Sequence, residues 1–226
     1  MKMYIHITLK SDATFGRGEG VAGLVDEEVE HDPETGLPYL RGRTLKGLLV
    51  EECANILYAL ERQNSKALAR LQQAAGFLFG RPGSTLDDDA RMHVGPALLP
   101  EELRQAVEAH IKHKKLTPSE VLESLTAIRR QTAVAEETGA PEEGSLRSIR
   151  VVLRETTFIA SLDFDEDPDE DAKALLAACV FCLRRAGLGR NRGRGRLKAR
   201  LLDENKKDIT EACFERFRQL LRGGAS

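Results

Sequence analysis

Leu45, Leu48, Leu49, Cys53, Ile56, Leu57 and Leu60 return at intervals of three and four, an apolar stripe broken only by Glu52, and this spacing places them on one side of an α-helix. A helix with so continuous a stripe must bury it, so the chain has to supply a second apolar layer. Residues 4–9 offer one. Ile5, Ile7 and Leu9 alternate with Tyr4, His6 and Thr8, the period of a strand buried on one face. With 226 residues the chain is long enough to bury a substantial core, whether as one large domain or two small ones. No apolar run approaches the ~20 residues that a membrane helix needs, and residues 1–9 are too short and polar for a secretory leader, so a cytoplasmic location and no membrane partner are expected.

Later segments extend the pattern. Residues 65–75 continue as helix through Leu68 and Leu71, and 76–80 end it. Residues 90–98 read as a strand closing near Gly95 and Pro96, 100–116 as a charged helix and 118–125 as another. Two extended runs, 128–135 and 146–158, flank the acidic stretch 136–144 and predict a long hairpin with a basic residue at Arg129, Arg130, Arg147, Arg150 and Arg154. Asp167 with Pro168 reads as a helix start, and Ala172, Leu175, Leu176, Cys179, Val180 and Leu183 as the buried face of the helix, which Gly187 would end. A strand over 197–202 and a tail helix over 209–221 complete the chain. This order predicts an α+β fold over 1–226: a ferredoxin-like or RNA-recognition-like antiparallel sheet with inserted helices (44–127) and a protruding thumb hairpin (128–158).

The residues with a chemical message are cationic. From Arg184 to Arg200 there are eight Lys or Arg and no acid, and Gly187, Gly189, Gly193 and Gly195 are interleaved with Arg190, Arg192 and Arg194. Glycine lets backbone N–H groups approach an anion and arginine supplies planar donor forks, so this loop (187–200, with the last strand) suits phosphate; the alternative is a solvated basic loop. A second set lies at the head of the striped helix, where Thr44 is the expected N-cap and Arg41, Arg43 and Lys46 crowd the positive end of the dipole, a placement that asks for an anion. The net charge is only −2, so any nucleic-acid affinity must come from such local patches. Aromatics make up 5% and no strand is rich in them, which favours a grip on the nucleic-acid backbone over base stacking.

Other features carry less. Gly18, Gly20 and Gly23 have dinucleotide spacing but lead into an acidic loop instead of a helix, and no organic cofactor is expected. Cys179 and Cys182 sit inside a helical pattern without a second pair, so they read as core thiols and not a zinc site. Asp87, Asp88 and Asp89 read as solvated loop acids, and His6 as a surface side chain.

Four stretches in one order resemble the RAMP superfamily of CRISPR-associated proteins, in particular the backbone subunits of type III effector complexes. Residues 36–47 (GLPYLRGRTLKG) are similar to that family's segment leading into its first helix, and Phe79 with Gly80 to its Phe-Gly step. Residues 128–147, with Thr138, Gly139, Gly144, Ser145 and Leu146, resemble its thumb, and 187–195 its C-terminal glycine-rich loop. The resemblance implies a subunit that stacks along a CRISPR guide RNA beside other RAMP subunits and the large signature subunit, with Arg17, Arg41, Arg43, Thr44, Lys46, Arg129, Arg130, Gly187, Gly189, Arg190, Arg192, Gly193 and Arg194 toward RNA. It also implies that Asp26, in the loop after the first strand, supports cleavage of the paired target RNA with a divalent metal such as Mg²⁺. Residues 16–20 carry Arg17 and Glu19 where the family has a His-x-Gly-Gly run.

The chemistry needs few groups. RNA is cut by its own 2′-hydroxyl once that group is deprotonated and the phosphate charge is stabilised, work for one carboxylate and nearby Arg or Lys, for which Arg17, Arg41, Arg43 and Lys46 are the expected sources. Two alternatives stand beside this: a non-catalytic structural or capping subunit, and a stand-alone ribonuclease using His6 or His31 as base.

Overall fold

A computed structural model describes residues 1–21, 24–80, 90–132 and 147–223. Asp87 to Asp89, Gly23 and the expected hairpin tip, including Thr138, Gly139, Gly144, Ser145 and Leu146, lie outside them.

The elements run β1 (Lys2–Leu9), α1 (Gly42–Arg62), α2 (Leu68–Phe79), β2 (Met92–Leu98), α3 (Glu101–Lys112), α4 (Pro118–Leu125), β3 (Thr126–Gln131), β4 (Arg147–Val152), β5 (Thr157–Phe164), α5 (Glu170–Cys182), β6 (Leu197–Leu202) and α6 (Thr210–Gly223). Four strands form the main sheet in the order β2-β5-β1-β6, each pair antiparallel. Counted along the chain this is 2-3-1-4, with α1 and α5 as the two crossovers, the split βαβ pattern of the ferredoxin-like fold. α2 enters between α1 and β2; α3, α4 and the separate β3-β4 pair enter between β2 and β5. Of these insertions, α2 packs on α5 and the β3-β4 pair meets the chain just past β1 through the Ala13–Val152 bridge.

The alternation of β1 works as expected: Met3, Ile5, Ile7 and Leu9 are buried, opposite the equally buried Phe158, Ala160 and Leu162 of β5. Leu45, Leu49, Cys53 and Leu60 of α1 meet this layer. α5 differs from its expected single buried face. Ala174, Ala177 and Ala178 are buried too, because α1, α2 and α6 surround the helix and β6 lies beneath it.

Several boundaries move for local reasons. α1 starts at Gly42, not after a Thr44 cap: Arg41 is the extended residue before it, its C=O already accepts the Leu45 N–H at 3.0 Å, and no side chain caps the end. A Cβ at Gly42 would stand 2.2 Å from the Val94 carbonyl oxygen, so helix and β2 meet there backbone to backbone. β2 does not stop at Gly95 and Pro96 but passes through them as a bulge between Val94 and Ala97, which an edge strand tolerates and which suits a proline without an N–H. α2 runs through Gly76 to Phe79, since Leu78 is buried in the core, and Gly80 supplies the positive-φ stop. α5 is capped by Asp169, whose Oδ1 accepts from Ala172 N–H at 2.7 Å; Asp167 instead meets the N-terminal ammonium at 3.0 Å. Helix α5 ends at Cys182, five residues short of Gly187.

The hairpin is corrected as well. Its second arm is not one run to Phe158: β4 ends at Val152, the chain turns through Glu155 with φ +67°, and β5 joins the main sheet. Nor are all the basic residues of that arm displayed. Arg150 is buried, its Nε 2.8 Å from a Glu28 carboxylate oxygen and its Nη1 donating to Thr126 Oγ1 at 3.2 Å.

Candidate nucleic-acid interface

Residues 10–21 and 24–30 follow β1 and bond to β4 at Ala13, Asp26 and Glu27, where three clefts come together. In the first, of about 490 Å³, Asp26 and Glu27 face Gln131 and Arg147 of the hairpin and Gly189, Arg192 and Arg194 of the glycine-rich loop. Asp26 is tied to the start of β4 twice: its N–H donates to the Ser148 carbonyl at 2.8 Å and its Oδ2 accepts the Ser148 N–H at 2.6 Å. The side chain is otherwise exposed. The second cleft, about 540 Å³, shares Thr14, Glu27 and Leu188 with the first and continues past Gly16, Gly18, Gly187 and Arg190 to Thr44, Gly47 and Glu51 on α1. A third, about 730 Å³, lies beside Arg194, which it shares with the first, and is lined by Lys10, Ser11, Asp12, Arg129, Leu153 and Arg154.

Asp12 organises this meeting point. Its Oδ2 accepts both Nε and Nη2 of Arg129 at 3.0 and 2.8 Å, its Oδ1 accepts the Arg154 N–H at 3.1 Å, and its carbonyl accepts the Gly195 N–H at 2.9 Å. Ser11 adds to the same joint, donating from Oγ to the Gly193 carbonyl at 3.2 Å and accepting the Arg196 N–H at 2.9 Å.

The glycines of the loop have a conformational cause. Gly187, Gly189, Gly193 and Gly195 all have positive φ, and Gly189 and Gly193 bracket a single 3₁₀ turn, Arg190–Arg192. Their spacing is therefore set by the turn, and the polyanion argument rests on the arginines it displays. At Gly195 (φ +67°) a Cβ would stand 1.9 Å from the Ala186 carbonyl oxygen, whereas at Gly193 (φ +83°) it would meet nothing. Gly193→Ala is expected to cost only the left-handed strain of about 1–2 kcal/mol, and Gly195→Ala distinctly more; melting temperatures of the two variants check this, and equal values would refute the close packing.

The expected RNA contacts divide. Asp26, Gly189, Arg192 and Arg194 share one cleft; Thr44, Gly187 and Arg190 line the second and Arg129 the third. Arg17, Arg41, Arg43, Lys46, Arg130 and Gly193 line none of the three. Arg190 is held by Glu51 in a two-pronged pair at 2.9 and 3.0 Å, and Arg41 by Glu30 at 2.7 Å. The cations that line the Asp26 cleft are Arg147, Arg192 and Arg194; Arg17, Arg41, Arg43 and Lys46 do not line it. Lys10 and Ser11 were not singled out in the sequence, because no motif marks them. His6 and His31 line none of these three clefts; burial, with Arg200 beside it, holds His6 below the ordinary histidine value, and His31 Nδ1 lies 2.9 Å from the Val29 carbonyl. Among the described residues no group of three or more His, Cys, Asp or Glu is placed to hold a metal ion, and no helix is long and apolar enough to cross a membrane.

The RAMP superfamily model matches residues 6–198, which takes in β1, the Asp26 loop, the hairpin and the glycine-rich loop. The chain belongs to the RAMP superfamily. This RAMP protein is similar in fold to a chain in the cryo-EM structure of type III-B Cmr-beta in the apo state, with a TM-score of 0.61 at 13% identity over 90% of this chain and 98% of that one. It is equally similar to a chain in the cryo-EM structure of type III-B Cmr-beta bound to cognate target RNA, with a TM-score of 0.61 at 13% identity over 95% and 99%. No curated protein matches it significantly in sequence.

Proposed function

We propose that this chain is a guide-RNA-binding backbone subunit of a type III CRISPR effector complex, acting with other RAMP subunits and the large signature subunit, and that Asp26 contributes to cutting the paired target RNA. The observation that carries the reading is the shared cleft: Asp26 stands across from Arg192 and Arg194 with Arg147 of the hairpin beside it. Membership of the RAMP superfamily and fold similarity to chains of Cmr-beta, in apo and target-bound structures, support the same assignment.

In the proposed reaction Asp26 takes the proton of a 2′-hydroxyl, the oxygen attacks the adjacent phosphate, and the bond to the 5′-oxygen breaks as that oxygen takes a proton from solvent water, leaving a 2′,3′-cyclic phosphate and a 5′-hydroxyl. Arg147, Arg192 and Arg194 offset the charge that gathers on the phosphate. A divalent ion such as Mg²⁺ fits one carboxylate plus a substrate phosphate and water; with such an ion bound Asp26 would hold it instead of acting as the base, and the ion would supply charge stabilisation.

The test is to purify the tagged chain from its native cell and sequence the RNA that accompanies it. Discrete repeat-derived guides, together with partner subunits, are expected; heterogeneous fragments, or no RNA, would overturn the assignment. In vitro, replacing Arg190, Arg192 and Arg194 with Ala is expected to flatten the slope of log affinity against log salt by about 1–2, because each phosphate contact on a single strand contributes ~0.7 and Arg190 is already paired with Glu51. An unchanged slope would remove the loop from the interface.

A further inference from the structure

Glu27 has no part in the scheme above, yet it lies where the first two clefts join and lines both. Its backbone is fixed, with its carbonyl accepting the Arg150 N–H at 3.0 Å beside β4. Its side chain is half-buried, and Oε2 is shut off from solvent with no hydrogen-bond partner among the described residues. The neighbouring Glu28 shows the usual arrangement, its carboxylate taking the Arg150 guanidinium and the Val29 N–H. A buried carboxylate oxygen without a donor bears its full desolvation cost, so this acceptor is complete only when something else supplies a proton.

The surroundings define that donor. Gly16 packs between this carboxylate and Leu188: a Cβ there would stand 3.6 Å from Oε2 in ordinary contact but 2.9 Å from Leu188 Cδ1, which would have to shift. Thr14, the nearby hydroxyl of the lining, is committed, donating to the Arg150 carbonyl at 3.0 Å. A phosphate is repelled by a carboxylate and is drawn to Arg192 and Arg194 in the same cleft. What remains on a polynucleotide is a neutral donor, and the ribose 2′-hydroxyl is the one that every RNA nucleotide carries whatever its base and that DNA lacks. We infer that Glu27 accepts a hydrogen bond from a ribose 2′-hydroxyl of the strand seated in the groove, and so makes the groove select RNA over DNA. The inference rests on the proposed RNA binding and deepens it.

The full chain is titrated with a labelled single-stranded RNA and with DNA of the same sequence, and with RNAs carrying one 2′-deoxy nucleotide at successive positions. The wild type is expected to favour RNA by about tenfold or more, as befits a hydrogen bond to a charged acceptor. Glu27→Leu is expected to bring the ratio close to one without weakening DNA binding, and to erase the penalty at the sensitive deoxy positions. Should Glu27→Leu melt early, Glu27→Gln decides, since it keeps an oxygen but loses the charge and is expected to lower the preference severalfold. An RNA preference unchanged in the folded variant, or absent from a wild type that binds RNA, overturns the inference and leaves RNA binding standing. A wild type that binds no RNA overturns the reading beneath it.

Discussion

Asp26→Ala is expected to lower the rate of target-RNA cutting by about 10²-fold or more, the usual contribution of a positioned proton acceptor, with guide binding retained. The division follows from where the residue sits. Its carboxylate is exposed in the cleft, and the loop that carries it stays paired with β4 through the Asp26 N–H and the Ser148 carbonyl, a bond that truncating the side chain does not touch. Asp26→Asn separates charge from structure: it preserves an oxygen for the Ser148 N–H and removes the negative charge, so its cutting should be as poor as that of Asp26→Ala while its melting temperature matches the wild type. Loss of guide binding in proportion to cutting would refute the role. A wild-type complex that leaves a bound target whole would assign the chain to the structural, non-cutting class.

Arg150→Ala is expected to destabilise the fold by about 3–5 kcal/mol, because it strands a buried carboxylate. The Arg150 and Glu28 side chains are only 8% and 4% exposed, and the same guanidinium satisfies Thr126 at the foot of β3. Chemical denaturation gives the value directly. The joint replacement Glu28→Leu with Arg150→Met removes both charges and should recover most of the loss, as apolar replacement of a buried pair usually does. An Arg150→Ala protein as stable as the wild type would mean that water reaches Glu28.

This pair also shows where sequence reading stops. Local periodicity identified β1, α1, α5 and β6, each with a pattern that only one conformation can bury, but β5, an inner strand of the sheet, was read as the end of the hairpin's second arm. Arg150 and Arg129 look alike in such a pattern, both basic and both on a hairpin arm. Only the path of residues 10–30 across that hairpin makes one a buried partner of Glu28 and leaves the other at a cleft beside Asp12. The glycine-rich loop was legible as a cation-bearing turn, but its pairing with α1 through Arg190 and Glu51 joins residues 139 apart in sequence and has no local signature. Asp26 was named through a family resemblance; the fold adds that it shares a cleft with Arg147, Arg192 and Arg194. The Asp169 cap, two residues past the expected Asp167, shows how several acids in a row blur a helix start until one side chain is seen to bond.

Asp12 has a mechanical consequence. One side chain holds the hairpin through Arg129 and the strand exit at Arg154, and the carbonyl of the same residue holds the glycine-rich loop at Gly195. Hairpin and loop are thus two jaws hung on one pivot. A load on the loop at Gly195 passes to the residue that anchors Arg129, so neither jaw can swing far without straining bonds to the other. Two parts coupled this way yield as a unit when the pivot fails.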